Sequence, residues 1–262
     1  HLISEQRSEF ERVLHQYENV FDGKLGKYPH RQIHIDLIPG AKDKPIFKKA
    51  YPIPYQHYEV FKNELDALER DGVLEKCRES EWAFPTFIVP KKDGRVRWVS
   101  DFRELNKLII RKQFPIPKIQ DIMNRRGNYK YFTKIDISMQ YYCFELDEES
   151  SKLFTINTPF GLYRYKRVPM GMKISGDIAQ AAMSFALKDL DVECYMDDSG
   201  IWTNGTFSQH MNLINEVLKR LSANGLKCNP LKCDWAVQES DFLGHWITPT
   251  GIKPWKKKID PI

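Results

Sequence analysis

Cysteine is scarce. The five in this chain (Cys77, Cys143, Cys194, Cys228 and Cys233) are an odd number without framework spacing, which leaves no basis for a disulfide scaffold. They read as reduced thiols of a cytosolic or nuclear protein. Cys228 and Cys233 lack two further close partners, which speaks against a zinc site. No window approaches the roughly 18 apolar residues of a membrane span, and the charged amino-terminal stretch does not read as a signal peptide. Internal repeats and long low-complexity tracts are missing as well. What is present is a chain of 262 residues, 42% hydrophobic, able to bury a sizeable core as one large domain or two.

Positive charge exceeds negative only modestly, 40 Lys and Arg against 35 Asp and Glu, and that alone does not establish a polyanion partner. Its distribution says more. From Lys91 to Lys134 there are 13 basic and 4 acidic residues. Lys253, Lys256, Lys257 and Lys258 follow near the end, whereas the acidic run Glu145 to Glu149 lies elsewhere.

Periodicity outlines the elements. Phe10, Val13, Leu14, Tyr17 and Phe21 mark an amphipathic helix, and His30 to Leu37 alternates like an exposed strand. Pro39 to Pro54 is proline-punctuated and extended. Tyr58 to Glu69 is helical, with Val60, Phe61, Leu65 and Leu68 on one side. Phe84 to Val89 and Val96 to Val99 form strands, joined by a hairpin turn at Asp93-Gly94. Asp101 to Asn106 is turn-like, Ile119 to Met123 is a short helix, and Phe132 to Ile137 is a strand. Tyr141 to Leu146 and Leu153 to Asn157 read as strands, Tyr163 to Val168 as a strand or link, Ile178 to Leu190 and His210 to Leu221 as helices. Short strands and turns complete the chain from Cys228. Helices interleaved with antiparallel hairpins predict an α+β fold, with a basic hairpin subdomain attached to a sheet-and-helix core.

One stretch organises the rest: Cys194-Tyr195-Met196-Asp197-Asp198-Ser199-Gly200-Ile201-Trp202. Two strand-like segments with a tight turn between them would direct Asp197 and Asp198 at one place, where paired carboxylates need an offsetting positive charge such as a divalent cation. A solvated Asp-Asp turn is the simpler account of the bare dipeptide. Asp136, near the end of an apolar strand, is a candidate third carboxylate, although a lone strand Asp is more often a satisfied surface residue. Were that strand beside the hairpin, the cluster would suit two Mg²⁺ ions.

Tyr195-Met196-Asp197-Asp198 resembles the catalytic box of reverse transcriptases, and other blocks follow that family in order. These are Ala83 to Lys92, Asp101 to Asn106, Phe114 to Pro117, Phe154 to Gly161, Gly225 to Lys227 with Asn229-Pro230, and Phe242 to Gly244. The chain resembles the polymerase region of a gypsy-like LTR retrotransposon or retroviral Pol polyprotein from about His30 onward.

The resemblance implies a right-hand polymerase with an antiparallel palm sheet backed by helices. Residues 1–29 would form an amino-terminal linker and helix following the protease region. Fingers would occupy about 55–130 and 142–170, palm about 30–54, 131–141 and 171–250, and the thumb would begin at 251. It implies RNA- or DNA-directed DNA synthesis from dNTPs on a primed template with two Mg²⁺ ions, Mn²⁺ being a substitute. Asp136 and Asp197 would hold both ions, Asp198 would complete the triad, and the Ile137 carbonyl would be a further ligand. Arg97, with Lys91 or Lys92, would grip the triphosphate. Tyr141 would exclude a 2′-hydroxyl, although read alone it is more simply a core ring. Met170 would line the nucleotide pocket. Asp101, Arg103, Gly171, Tyr195, Met196 and the Phe242-Leu243-Gly244 primer grip would contact template or primer.

Two blocks depart from the family. Val168-Pro169-Met170-Gly171-Met172 and Ile174-Ser175-Gly176 replace a more usual run, and Ser199-Gly200 replaces a bulkier apolar pair. Neither removes a carboxylate. An inactive or domesticated nucleic-acid-binding module stands as the alternative, and a metal-dependent nuclease is disfavoured by Arg97 and Tyr141. Protease, RNase H and integrase regions would share the polyprotein. The expected place is the cytoplasm, within a virus-like particle, or the nucleus, with no membrane partner.

Overall fold

A computed structural model describes residues 2–91 and 96–254. Lys92 and the Asp93-Gly94 turn lie outside the described residues, as do Lys256, Lys257 and Lys258. In chain order the elements are α1 (Ser4–Gln16), α2 (Tyr55–Arg70), β1 (Leu74–Cys77), β2 (Phe84–Pro90), β3 (Val96–Ser100), α3 (Arg103–Leu108) and α4 (Ile119–Arg125). Then follow β4 (Tyr131–Asp136), α5 (Glu148–Leu153), β5 (Thr155–Thr158), β6 (Gly161–Tyr165), α6 (Ser175–Ala186), β7 (Glu193–Tyr195) and β8 (Asp198–Thr203). The last are α7 (Phe207–Ala223), β9 (Asp234–Val237), β10 (Ser240–Phe242), β11 (His245–Thr248) and β12 (Gly251–Pro254). The α+β expectation holds. No helix of the described residues is long and apolar enough to cross a membrane.

The chain divides into two compact units. One comprises residues 27–113 and 141–176 and contains a five-stranded sheet in the order β1-β6-β5-β2-β3. Its pairings are antiparallel except β2 with β5. Phe61, Leu65 and Leu68 of α2 are buried, whereas Val60 is exposed, one position off the apolar stripe. Phe84, Phe102 and Phe154 meet edge to face in its core. The hydroxyl of Tyr165 lies 3.0 Å from Trp98 Nε1 and 2.9 Å from Ser100 Oγ, so this buried phenol is satisfied.

The other unit comprises residues 1–26, 114–140 and 177–262. Its four-stranded sheet runs β7-β8-β4-β9, and a separate meander forms β10-β11-β12. Helix α7 starts at Thr206, whose side chain accepts from the Gln209 N–H while Gln209 reaches back to the Thr206 N–H, a capping box. It buries Met211, Ile214, Val217, Leu218 and Leu221.

Four expectations are corrected. His30 to Leu37 buries Ile33 and Ile35 alternately, but its pairing is limited to single bridges at Ile33 and Leu37, so it is no strand. Asp101 to Asn106 enters helix α3, its polar side chains lying on an exposed helix. Tyr141 to Leu146 begins as the 3₁₀ turn Gln140–Cys143. Leu153 ends a helix rather than opening a strand. Asp147 caps α5 by accepting from the Ser150 N–H at 2.7 Å, and Glu148 and Glu149 favour its positive end. The acidic run was thus a helix start.

His210 of α7 is fully buried, with its ring nitrogens each 2.8 Å from a hydroxyl, Thr133 on β4 and Thr203 on β8. Burial pushes its pKa down to about 4, and the ring folds neutral. Between that value and about 6.5 the unfolded chain binds the extra proton, so this contribution is complete above pH 6.5 and is lost as pH falls to 4. The loss amounts to about 3 kcal/mol. Thermal midpoints measured from pH 7 to 4 should fall more steeply in wild type than in His210→Gln. Parallel profiles would rule this out.

Candidate functional site

Strands β4 and β8 pair so that Asp136 faces Asp198, Ile135 faces Ser199 and Lys134 faces Gly200. Strand β7 returns antiparallel to β8, with Tyr195 opposite Asp198, leaving Met196-Asp197 as a two-residue turn. The expected hairpin therefore forms, and the expected neighbouring strand is β4. Met196 has φ +53°, a left-handed conformation that is costly for a residue with a Cβ and is held by its surroundings. The Ile137 N–H donates to the Asp197 carbonyl at 2.8 Å, joining the end of β4 to the turn.

The charges are crowded. Burial first, then Asp197 and Asp136, push the Asp198 carboxyl up to about 6. Burial also raises Asp136, with Asp197 adding to the shift and Lys232 opposing it. Lys232 Nζ lies 3.5 Å from Asp136 Oδ2. It was missed by the sequence reading, although it stands two residues beyond the Asn229-Pro230 block. Main-chain bonds place it: the Asn229 N–H donates to the Asp136 carbonyl at 3.0 Å and the Ser138 N–H to the Lys227 carbonyl at 2.8 Å.

Lys134 is a second missed cation. It bonds Asp241 Oδ1 at 2.8 Å and Asp234 Oδ2 at 3.0 Å, tying β4 to β9 and β10. Lys134, Asp136, Asp198, Lys232, Asp241, Leu243 and Gly244 line a cleft of about 320 Å³. Leu243 and Gly244 both have positive φ, +49° and +77°, as a type I′ hairpin turn requires. Phe242 sits differently: its ring is in the core, 5.3 Å from Trp202 and 5.6 Å from Phe132. Tyr195 packs against that same cluster.

Ser199-Gly200, unusual in sequence, has a local explanation. Ser199 is fully buried and its hydroxyl donates to Cys194 Sγ at 3.6 Å. Gly200 leaves the space that the Trp202 ring fills.

The remaining predicted residues belong to the other unit. Arg97 lies on β3 between the inward positions, exposed, and paired with Val89. Lys91 is exposed just after β2. Arg103 forks onto Asp101 with Nε–Oδ1 at 2.8 Å and Nη2–Oδ2 at 2.7 Å, and Tyr51 donates to Oδ2 at 2.9 Å. The Arg103 contact leads in holding the Asp101 carboxyl down at about 2. Met170 is exposed and Gly171 has φ +86°. Asn106 anchors that loop, donating to the Gly171 carbonyl and accepting the Lys173 N–H, both at 2.8 Å. Tyr141 is half-buried within the 3₁₀ turn, five residues after Asp136.

Among the described residues no group of three or more His, Cys, Asp or Glu is set to hold a metal ion as the side chains stand. The donor chemistry nevertheless fits one. Asp136, Asp197 and Asp198 offer only oxygen, the preference of hard divalent cations. Two of them carry raised pKa values from burial and mutual repulsion, the imbalance that an added cation relieves.

A strand end and a hairpin tip that present carboxylates to a cleft, on an α+β scaffold, form the oxygen-only cluster that metal-dependent nucleotidyl transfer and nuclease chemistry both use. The chain belongs to the family described as reverse transcriptase (RNA-dependent DNA polymerase), which matches residues 89–247. It is 30% identical to a retrovirus-related Pol polyprotein from transposon 297 of Drosophila melanogaster, over 100% of this chain and 25% of that protein. The similar polyprotein from transposon 412 of the same fly is 30% identical over 98% of this chain and 21% of its own length. The chain thus spans about a quarter of the length of these curated relatives.

Solved structures share the fold. A foamy viral protease-reverse transcriptase in complex with an RNA/DNA hybrid superposes with TM-score 0.91 at 23% identity, over 99% of this chain and 35% of that one. The complex with dsDNA gives 0.87 at 24%, over 100% and 55%.

Proposed function

We propose that this chain is the polymerase part of a retrotransposon or retroviral Pol polyprotein, extending a primer on an RNA or DNA template with dNTPs and releasing pyrophosphate. The register that sets Asp136 against Asp198, with Asp197 at the adjoining turn, carries this reading. Asp136 and Asp197 would hold both of two Mg²⁺ ions, Asp198 would complete the set, and the Ile137 carbonyl would add an oxygen. Mn²⁺ would substitute. Bound, these ions would lower the pKa of the primer 3′-hydroxyl and compensate phosphate charge.

The chain's own groups do the rest. Arg97, with Lys91 or Lys92, offers charge-assisted donors to the triphosphate. Met170 lines the nucleotide pocket. Asp101, Arg103, Gly171, Tyr195 and Met196 contact template or primer, and Leu243-Gly244, seated on buried Phe242, positions the primer end. Fingers, palm and the start of a thumb follow the boundaries given above. Protease, RNase H and integrase regions would share the polyprotein, which would act in the cytoplasm within a virus-like particle or in the nucleus.

The decisive assay extends a labelled primer on an RNA template with Mg²⁺ and either dNTPs or rNTPs, using the full-length protein. Extension with dNTPs is expected, and its absence would reject the reading. Within the same assay Tyr141→Ala should lower the preference for dNTP over rNTP by about 10- to 100-fold. An unchanged ratio of kcat/KM values would remove Tyr141 from the role of sugar gate.

A further inference from the structure

The turn at Met196 is held by two glutamines, one on each side of its backbone. Its N–H donates to Gln180 Oε1 at 2.8 Å, and Gln180 Nε2 donates onward to the Cys194 carbonyl at 3.0 Å. Its carbonyl accepts from Gln140 Nε2 at 2.9 Å. The Gln180 amide is therefore used at both ends. Gln140 differs: the residue is only 3% exposed, and its buried Oε1 has no hydrogen-bond partner among the described residues.

A buried amide with an unmade bond is a cost that a purely structural position would shed, for instance as an apolar side chain of the same shape. Gln140 keeps that cost at one particular place. It stands four residues after Asp136, directly after left-handed Met139 and directly before Tyr141. Its bond to Met196 fixes the carbonyl of the Met196-Asp197 peptide, whose orientation sets the direction in which Asp197 leaves the turn.

We propose that Gln140 is a positioning residue that locks the Met196-Asp197 peptide and so the direction of the Asp197 side chain. The proposal rests on Asp197 and Asp198 acting as proposed above. Gln140→Met keeps length and apolar volume, removes the unpaired oxygen and releases the Met196 carbonyl. The two changes oppose each other in stability, so the melting temperature should move by less than about 4 °C. Turnover should not be spared, because a displaced reacting group loses on the order of 10-fold or more in rate.

The test compares wild type, Gln140→Met, Gln180→Met and Asp197→Asn in the full-length protein by melting temperature, primer–template affinity, and kcat and KM for dNTPs and rNTPs. For Gln140→Met the expected outcome is near-wild-type melting and primer binding with kcat lowered about 10-fold. Gln180→Met, losing bonds at both ends of its amide, should lower both melting temperature and kcat. A Gln140→Met variant with wild-type kcat, or one whose activity falls only in step with its melting and primer binding, would overturn the proposal. Full activity in Asp197→Asn would instead reject the underlying reading of the turn, a separate and recognisable failure.

Discussion

Asp197→Asn is expected to reduce primer extension by at least about a thousandfold while leaving the protein folded. The substitution is isosteric, and the backbone contact of this position is the Asp197 carbonyl, which accepts from the Ile137 N–H at 2.8 Å whatever the side chain. What changes is charge. Asp197 raises the pKa of both Asp136 and Asp198, so its neutralisation relieves repulsion and should keep or raise the melting temperature at neutral pH. Loss of activity with preserved or improved stability is the pattern of a functional carboxylate, because a structural one would cost stability when removed. Single-turnover extension and thermal unfolding of the same preparation measure both quantities. Extension within 10-fold of wild type would exclude Asp197 from the chemistry.

Gly200→Ala is expected to be among the most destabilising single changes in the unit that carries the acidic turn, at about 3 kcal/mol. A Cβ at Gly200 would lie 2.3 and 2.4 Å from two atoms of the Trp202 ring and 3.0 Å from Phe242 Cζ. The ring has little room to retreat. Phe132 lies 4.7 Å from it on one side, Phe242 5.3 Å on another, and the Arg126 guanidinium stands 5.4 Å above it. Any shift would pass through Phe242 to the adjoining Leu243-Gly244 turn, so primer affinity should fall along with stability. Denaturant unfolding of Gly200→Ala, Trp202→Leu and the double variant gives the interaction directly. The double variant should be less destabilised than the sum of the singles by at least about 1 kcal/mol. Simple additivity, or a Gly200→Ala protein as stable as wild type, would show that the ring accommodates the methyl group.

Much of the site was legible in the chain because it is made of local pattern. Two carboxylates between apolar-aromatic runs read as a hairpin tip, and an acidic residue closing an apolar strand read as a third candidate. Both readings depend only on the alternation of side chains along a strand. The failures were local in another sense. Asp147-Glu148-Glu149 with Ser150 is a helix cap, but α5 is one short helix whose apolar positions also suit a strand. Asp101 to Asn106 looked like a turn because its polar side chains face outward from a helix that packs chiefly through Leu105.

The amino-acid sequence by itself determined the α+β class and the family and picked out three acidic positions, since all are read from residue type and local spacing along the chain. Only the tertiary structure decided the company they keep. Lys232 reaches Asp136 from 96 residues away, Lys134 reaches Asp241 across 107, and Gln140 reaches Met196 across 56. No periodicity encodes such pairs, because they arise where separate segments are packed against the same sheet. The glycine behind the acidic turn makes the same point. In sequence Gly200 stands out only as a departure from the family, and its necessity appears when the ring of Trp202, two residues on along the same face of β8, folds back into the space a Cβ would need.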